Sequence, residues 1–136
     1  MLENNHEKKP KKYAGILAHP TSFPSPYGIG DLGKGAYRFI DFLANSGLNL
    51  WQVLPLGHTG FGDSPYQPFS AFAGQPLIID LDALKEYKLL SEDDFTDMPE
   101  WDPVHIDYGT LITFKTKLLK LAYERFTDPD SEDGLS

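Results

Sequence analysis

At 136 residues the chain suits one domain of ordinary size, and with 40 % apolar and 13 % aromatic residues its composition is globular rather than disordered or collagen-like. The net charge of −8 sits unevenly: residues 1–90 carry eight acidic and eight basic side chains, whereas residues 91–136 carry twelve acidic and four basic ones. No apolar run is long enough to span a bilayer, and with no cysteine there is neither a disulfide framework nor a thiolate metal site.

Residues 1–12 form a polar, lysine-rich leader without the apolar core of a secretory signal, so a cytoplasmic location and a disordered leader are expected. Lys8, Lys9, Lys11 and Lys12 are the one basic cluster. They read as a solvated leader, not as a phosphate-contacting surface, so no nucleic-acid partner is expected. Tyr13–Ala18 is an apolar run of strand length. A stretch rich in turn formers follows from His19 to Gly30, with Pro20, Pro24, Pro26, Gly28 and Gly30. Asp31 then reads as the N-cap of a helix whose Ala36, Phe39, Ile40 and Leu43 fall at i, i+3, i+4 and i+7. Gly47 stands where a C′ glycine would end it.

Leu50–Leu54 reads as a second, buried strand, stopped by Pro55 and Gly57. Strand, helix and strand in about forty residues make a βαβ unit, with parallel strands and a right-handed crossover. A second long loop, Gly57–Pro76, leads to Leu77–Asp80, a third strand or short extended segment. Leu81–Leu90 reads as a short helix or turn, and Ser91–Asp107 as acidic and irregular. Gly109–Phe126 reads as an amphipathic helix with Leu111, Phe114, Leu118, Leu121, Ala122 and Phe126 on one stripe. Residues 127–136 are an acidic end expected to fray.

Parallel strands place their C-terminal ends on one side, where α/β folds bind ligands. Both long loops follow such ends and are expected side by side. They hold His19, Thr21, Ser22, Tyr27, Asp31, His58, Asp63, Ser64, Tyr66 and Gln67, a set of aromatic faces and hydrogen-bonding groups with little net charge. A sugar asks for that mixture: C–H faces to stack on rings, and a rim of hydroxyls to pair. Loops longer than connection requires also point to function.

Other chemistries fit less well. Gly28-Ile-Gly30-Asp-Leu-Gly33 reads G-x-G-x-x-G, but about nine loop residues separate it from its strand, so the tight turn of a dinucleotide fingerprint is absent. His19, His58 and Asp63 lack metal-ligand spacing. Ser22 and Ser64 lack a G-x-S-x-G elbow. Neither metal nor cofactor is expected. A retaining glycosyl transfer needs two carboxylates about 5 Å apart. Near the loops stand Asp31 and Asp63, and Asp31 is better used as a cap, so the reacting pair is missing.

The loops carry a recognisable series. Gly15-Ile-Leu-Ala-His-Pro-Thr-Ser22, Pro26-Tyr-Gly-Ile-Gly-Asp-Leu-Gly33, Leu50-Trp-Gln-Val-Leu-Pro-Leu-Gly57, Gly62-Asp-Ser-Pro-Tyr-Gln67, Ser70-Ala-Phe-Ala-Gly74 and Ile106-Asp-Tyr-Gly109 occur in order. The series resembles the opening of the family 77 glucanotransferases, from about Tyr13 to Phe126. The resemblance implies an α/β fold, the N-terminal part of a (β/α)8 barrel incomplete in this chain. It implies transfer of α-1,4-glucan segments to glucose or maltooligosaccharides through a covalent intermediate, with the catalytic carboxylates beyond Ser136.

By the same resemblance Tyr66 stacks on the sugar beside the scissile bond, Ser64 and Asp63 are its polar neighbours, and His19 closes the first strand. Phe61 stands where relatives often carry tyrosine and is a candidate glucan contact. Gln75 replaces the usual asparagine. Trp51 is expected in the barrel core. The competing expectation is a non-catalytic α-glucan-binding module or an inactive truncated product.

Overall fold

The computed structural model describes residues 12–57 and 74–128. Two strands, β1 (Gly15–Leu17) and β2 (Leu50–Gln52), pair in parallel with Gly15 opposite Leu50 and Leu17 opposite Gln52. Between them runs helix α1 (Lys34–Asn45), which supplies the crossover of a βαβ unit. Two further helices follow, α2 (Leu81–Glu86) and α3 (Tyr108–Thr127).

The expected helix end is present. Gly47 has φ +70°, its N–H bonds to Ala44 O at 3.1 Å, and Leu48 N–H bonds to Leu43 O at 2.9 Å, the paired bonds of a Schellman motif. The helix start differs from expectation. The N-cap of α1 is Gly33, not Asp31. Asp31 lies two residues upstream, buried, where Oδ1 accepts from Gly33 N at 3.0 Å and Oδ2 from Ser25 Oγ at 2.9 Å. The aspartate still satisfies an amide near the helix start, but from within the preceding turn.

Two strand expectations are also corrected. Leu77–Asp80 is not a third strand: Pro76–Ile78 is a turn of 3-10 helix, with Gln75 at its N-cap and Pro76 at its first position. Leu77 and Ile78 are both buried while Ile79 is exposed, a pattern that an alternating half-buried strand does not produce. The second strand is shorter than Leu50–Leu54 and is not buried, since Leu50 keeps 50 % of its surface exposed. Leu17 and Val53 are exposed as well.

Helix α3 carries the main core. Leu111, Phe114, Leu118 and Ala122 are buried, packing with Tyr27, Leu81 and Leu90 on one side and with Ile29 and Leu77 on the other. Phe126 leaves the expected stripe and is exposed, and the fully buried Lys115 joins it. Asp107 caps α3 by accepting from Thr110 N and Oγ1 at 3.2 and 2.7 Å. Near the other end Arg125 binds Asp94 through both amino groups, at 2.6 and 2.9 Å. The 3-10 turn Glu92–Phe95 gives the acidic connection order. Thr127 belongs to α3, so helix persists into the stretch expected to fray.

Among the described residues no helix is long and apolar enough to cross a membrane.

Candidate functional site

The two parallel strands end on one side, and the first loop leaves from there. Trp51 in the middle of β2 donates from Nε1 to Ala18 O at 2.8 Å, which fixes the point where that loop begins. Its ring packs against Phe23 and Phe39, with centroids 5.6 and 5.3 Å away, joining loop, sheet and α1. Trp51 is therefore a packing residue, but on the side of the sheet that faces α1 and not in the interior of a barrel as expected.

His19 opens the loop and is buried. Nδ1 lies 2.7 Å from Thr21 Oγ1 and accepts Thr21 N at 3.4 Å, closing a 3-10 turn over Pro20–Ser22. Burial holds the imidazole below its usual pKa. His19 therefore braces the loop from beneath.

The remaining loop residues divide between inside and outside. Tyr27 turns inward: it is buried, and its hydroxyl donates a short hydrogen bond to Asp82, which also binds Lys34 and Lys85. Burial, reinforced by the Asp82 carboxylate, pushes the phenol up to about 12. The same hydrogen bond from Tyr27 is the main cause that draws Asp82 down to about 2. Tyr27 is thus not an open sugar-stacking face. Thr21 and Ser22 line one wall of a groove of about 700 Å³, whose opposite wall is the segment 98–106. Gly28 (φ +79°) lets the two walls meet, because a Cβ there would lie 2.5 Å from the Trp101 ring. Trp101 Nε1 is buried without a hydrogen-bond partner. The volume falls in the range of small-ligand sites.

The groove is unsuited to phosphate. Glu100 and Asp102 lie along it, and a Cβ on Gly33, at the start of α1, would sit within 3 Å of both Asp31 and Asp80 carboxylates. The G-x-G-x-x-G match therefore ends in carboxylates rather than in an open anion cradle. Among the described residues no group of three acidic or histidine side chains is arranged to hold a metal.

Three carboxylates beside the loop are occupied by the fold. Asp31 serves Gly33 and Ser25, Asp80 caps α2 through Asp82 N at 3.0 Å, and Asp82 holds Tyr27 and two lysines. Of the five site residues expected from the sequence, His19 is described. Phe61, Asp63, Ser64 and Tyr66 lie outside the described residues, as do His58 and Gln67. The roots of that second loop are visible: Gln75 Nε2 donates to Gly57 O at 3.4 Å. The sequence reading passed over Trp101 and Lys115. Spacing could have found Lys115, four residues after Leu111 and three before Leu118 on the buried face.

The sequence profile of the 4-alpha-glucanotransferase family (glycoside hydrolase 77) matches residues 18–135. A 4-alpha-glucanotransferase of Clostridium butyricum is 50 % identical over 115 residues, 84 % of this chain and 24 % of the relative. That of Thermus thermophilus is 48 % identical over 119 residues, 88 % of this chain and 23 % of the relative. In structure the chain is similar to an amylomaltase from Streptococcus agalactiae in complex with acarbose, with a TM-score of 0.79 and 41 % identity over 88 % of this chain and 24 % of that one. The chain spans about a quarter of the length of the relatives it matches. With the profile covering nearly its whole length, the chain belongs to the glycoside hydrolase 77 family of 4-alpha-glucanotransferases.

Proposed function

We propose that the chain is the N-terminal part of the (β/α)8 barrel of a cytoplasmic 4-α-glucanotransferase, with residues 13–126 as the barrel portion. The protein moves α-1,4-glucan segments to glucose or maltooligosaccharide acceptors by a retaining double displacement. The observation that carries the reading is the parallel β1–β2 pair, bridged by α1, with the motif-bearing loops leaving its C-terminal side. Open strand edges and the exposed Leu17, Leu50 and Val53 are surfaces that further barrel strands would cover.

In this reading the chain contributes binding and orientation. Tyr66 stacks on the sugar beside the scissile bond, Asp63 and Ser64 bind its hydroxyls, Phe61 offers an apolar face, and His19 braces the neighbouring loop. The reacting carboxylates come from later strands, which fits the structural employment of Asp31, Asp80 and Asp82. The chain alone is then a binder without catalysis, the form the competing non-catalytic reading would take.

Two measurements test the proposal. Calorimetric titration of the chain with maltoheptaose should give heat that Tyr66→Ala abolishes, and maltotriose should remain unchanged in its presence. Turnover by the chain alone would refute the assignment of the carboxylates to later strands. A binding signal insensitive to Tyr66→Ala would refute the stacking role.

A further inference from the structure

Helix α3 buries a lysine where its apolar stripe calls for leucine. Lys115 is 0 % exposed and lies between Leu111 and Leu118 on the inner face. Nζ donates to Leu77 O at 2.6 Å and to Ile79 O at 3.1 Å. The carbonyl between them, Ile78 O, points the other way in bonding terms and accepts Leu32 N at 2.9 Å. One short turn is therefore gripped from two sides by alternate carbonyls, α3 on one and the first loop on the other. The next residues of that loop are held as well, since Asp31 accepts both Gly33 N and Ser25 Oγ.

We propose that Lys115 is a positioning residue that holds the turn 75–80 and the strand-end loop 19–33 in fixed relation, and so sets one wall of the groove. It touches no ligand itself. Burial drives its pKa down to about 8 against the opposing pull of Asp31 and Asp80, the two charged groups that act on it. Removing an ammonium from water is costly, and buried charges are commonly no more stabilising than an apolar side chain of similar size. Stability alone would favour leucine or methionine at this position. The lysine instead gives two carbonyls of a non-repetitive turn a donor that no apolar residue supplies. What the groove binds rests on the glucan reading above, but the geometry that Lys115 enforces does not.

The test is amide hydrogen exchange in the full chain with Lys115→Met. Leu32 and Gly33 should exchange at least about tenfold faster, while Gly47 and Leu48 at the far end of α1 keep their rates and the urea midpoint at neutral pH does not fall. Equal acceleration everywhere would make Lys115 a stability residue and overturn the proposal, as would unchanged exchange at Leu32. Should the variant not fold, the unaltered chain decides by NMR. Its Lys115 ammonium protons should exchange about a hundredfold more slowly than those of exposed Lys117 and Lys120 and couple to the carbonyl carbons of Leu77 and Ile79. Ammonium exchange matching that of the surface lysines would refute it. Maltoheptaose affinity, weakened about tenfold by Lys115→Met if the groove wall moves, is read separately. Failure of the unaltered chain to bind maltoheptaose would count against the glucan reading and leave the exchange result standing.

Discussion

Gly28→Ala separates two costs that the first loop imposes. Alanine at φ +79° carries about 1–2 kcal/mol of backbone strain. Its Cβ would also stand 2.5 Å from Trp101 Cε3, with further ring carbons within 3 Å, so the indole must shift away from its edge contact with Phe114. Overpacking of this kind costs about 1–3 kcal/mol. Gly47 provides the internal control: it has φ +70°, yet its added Cβ would meet nothing within 4 Å. Gly47→Ala should therefore cost only the strain. Urea unfolding followed by tryptophan fluorescence should place Gly28→Ala about 1–3 kcal/mol below Gly47→Ala. Measured in a Trp101→Ala background, the added cost of Gly28→Ala should shrink to about that of Gly47→Ala, because the obstructing ring is gone. Equal losses in the two glycine variants would show that Trp101 does not close the groove against the loop.

The titrating groups make predictions of opposite sign. Lys115 has its pKa lowered in the folded chain, so the unfolded chain binds the extra proton between about pH 8 and 10.5 and stability rises across that window, by roughly 3 kcal/mol in total. Denaturation at pH 7.5 and 9.5 should show the rise in the unaltered chain and not in Lys115→Met. Tyr27 works the other way above pH 10: its raised pKa means that stability falls as pH climbs from 10 toward 12. At the acid end Asp82, drawn down to about 2, contributes stability that is lost as pH falls from about 4 through 2. Tyr27→Phe should flatten that acid limb by about 1–2 kcal/mol between pH 5 and 2.5, read by thermal melts at each pH. Exposed Leu17, Leu50 and Val53 should make the isolated chain associate, so sedimentation should give a mass above 15.3 kDa that Leu50→Lys lowers toward it.

The elements most legible in the sequence were those whose signals are local and redundant. The spacing of Ala36, Phe39, Ile40 and Leu43, with Gly47 behind them, was enough to place α1 and its end, although Ile40 is exposed. Two short apolar runs flanking one helix implied a parallel pair, and the pairing is parallel. Where the outcome depends on a distant partner, the pattern was silent or misleading. Leu77–Asp80 has strand composition, but Pro76, the Gln75 cap and the grip of Lys115 on Leu77 O and Ile79 O fold it into a turn. Asp31 has the chemistry of a cap, yet its carboxylate reaches Gly33 from inside the turn, and the cap position falls to the glycine.

The candidate site follows the same division. Position in a loop marked Tyr27 as a possible sugar face, whereas Asp82, fifty-five residues away, draws its hydroxyl inward. His19 was legible as a strand-end residue because the strand precedes it directly, and its bonds to Thr21 are local. Trp101 was not, since its place against Gly28 arises from packing between segments far apart in sequence. Exposed and buried lysines look alike in composition, and only the helical register set Lys115 apart from Lys117 and Lys120.

Glucan transfer with retention, proposed above for the protein to which this chain belongs, is open to direct assay. Maltotriose offered to the native protein from its source, with products followed by proton NMR, tests it most directly. The expected products are glucose together with a ladder of longer maltooligosaccharides, every new linkage α. Products of hydrolysis alone, a β anomer released first, or untouched maltotriose would contradict it.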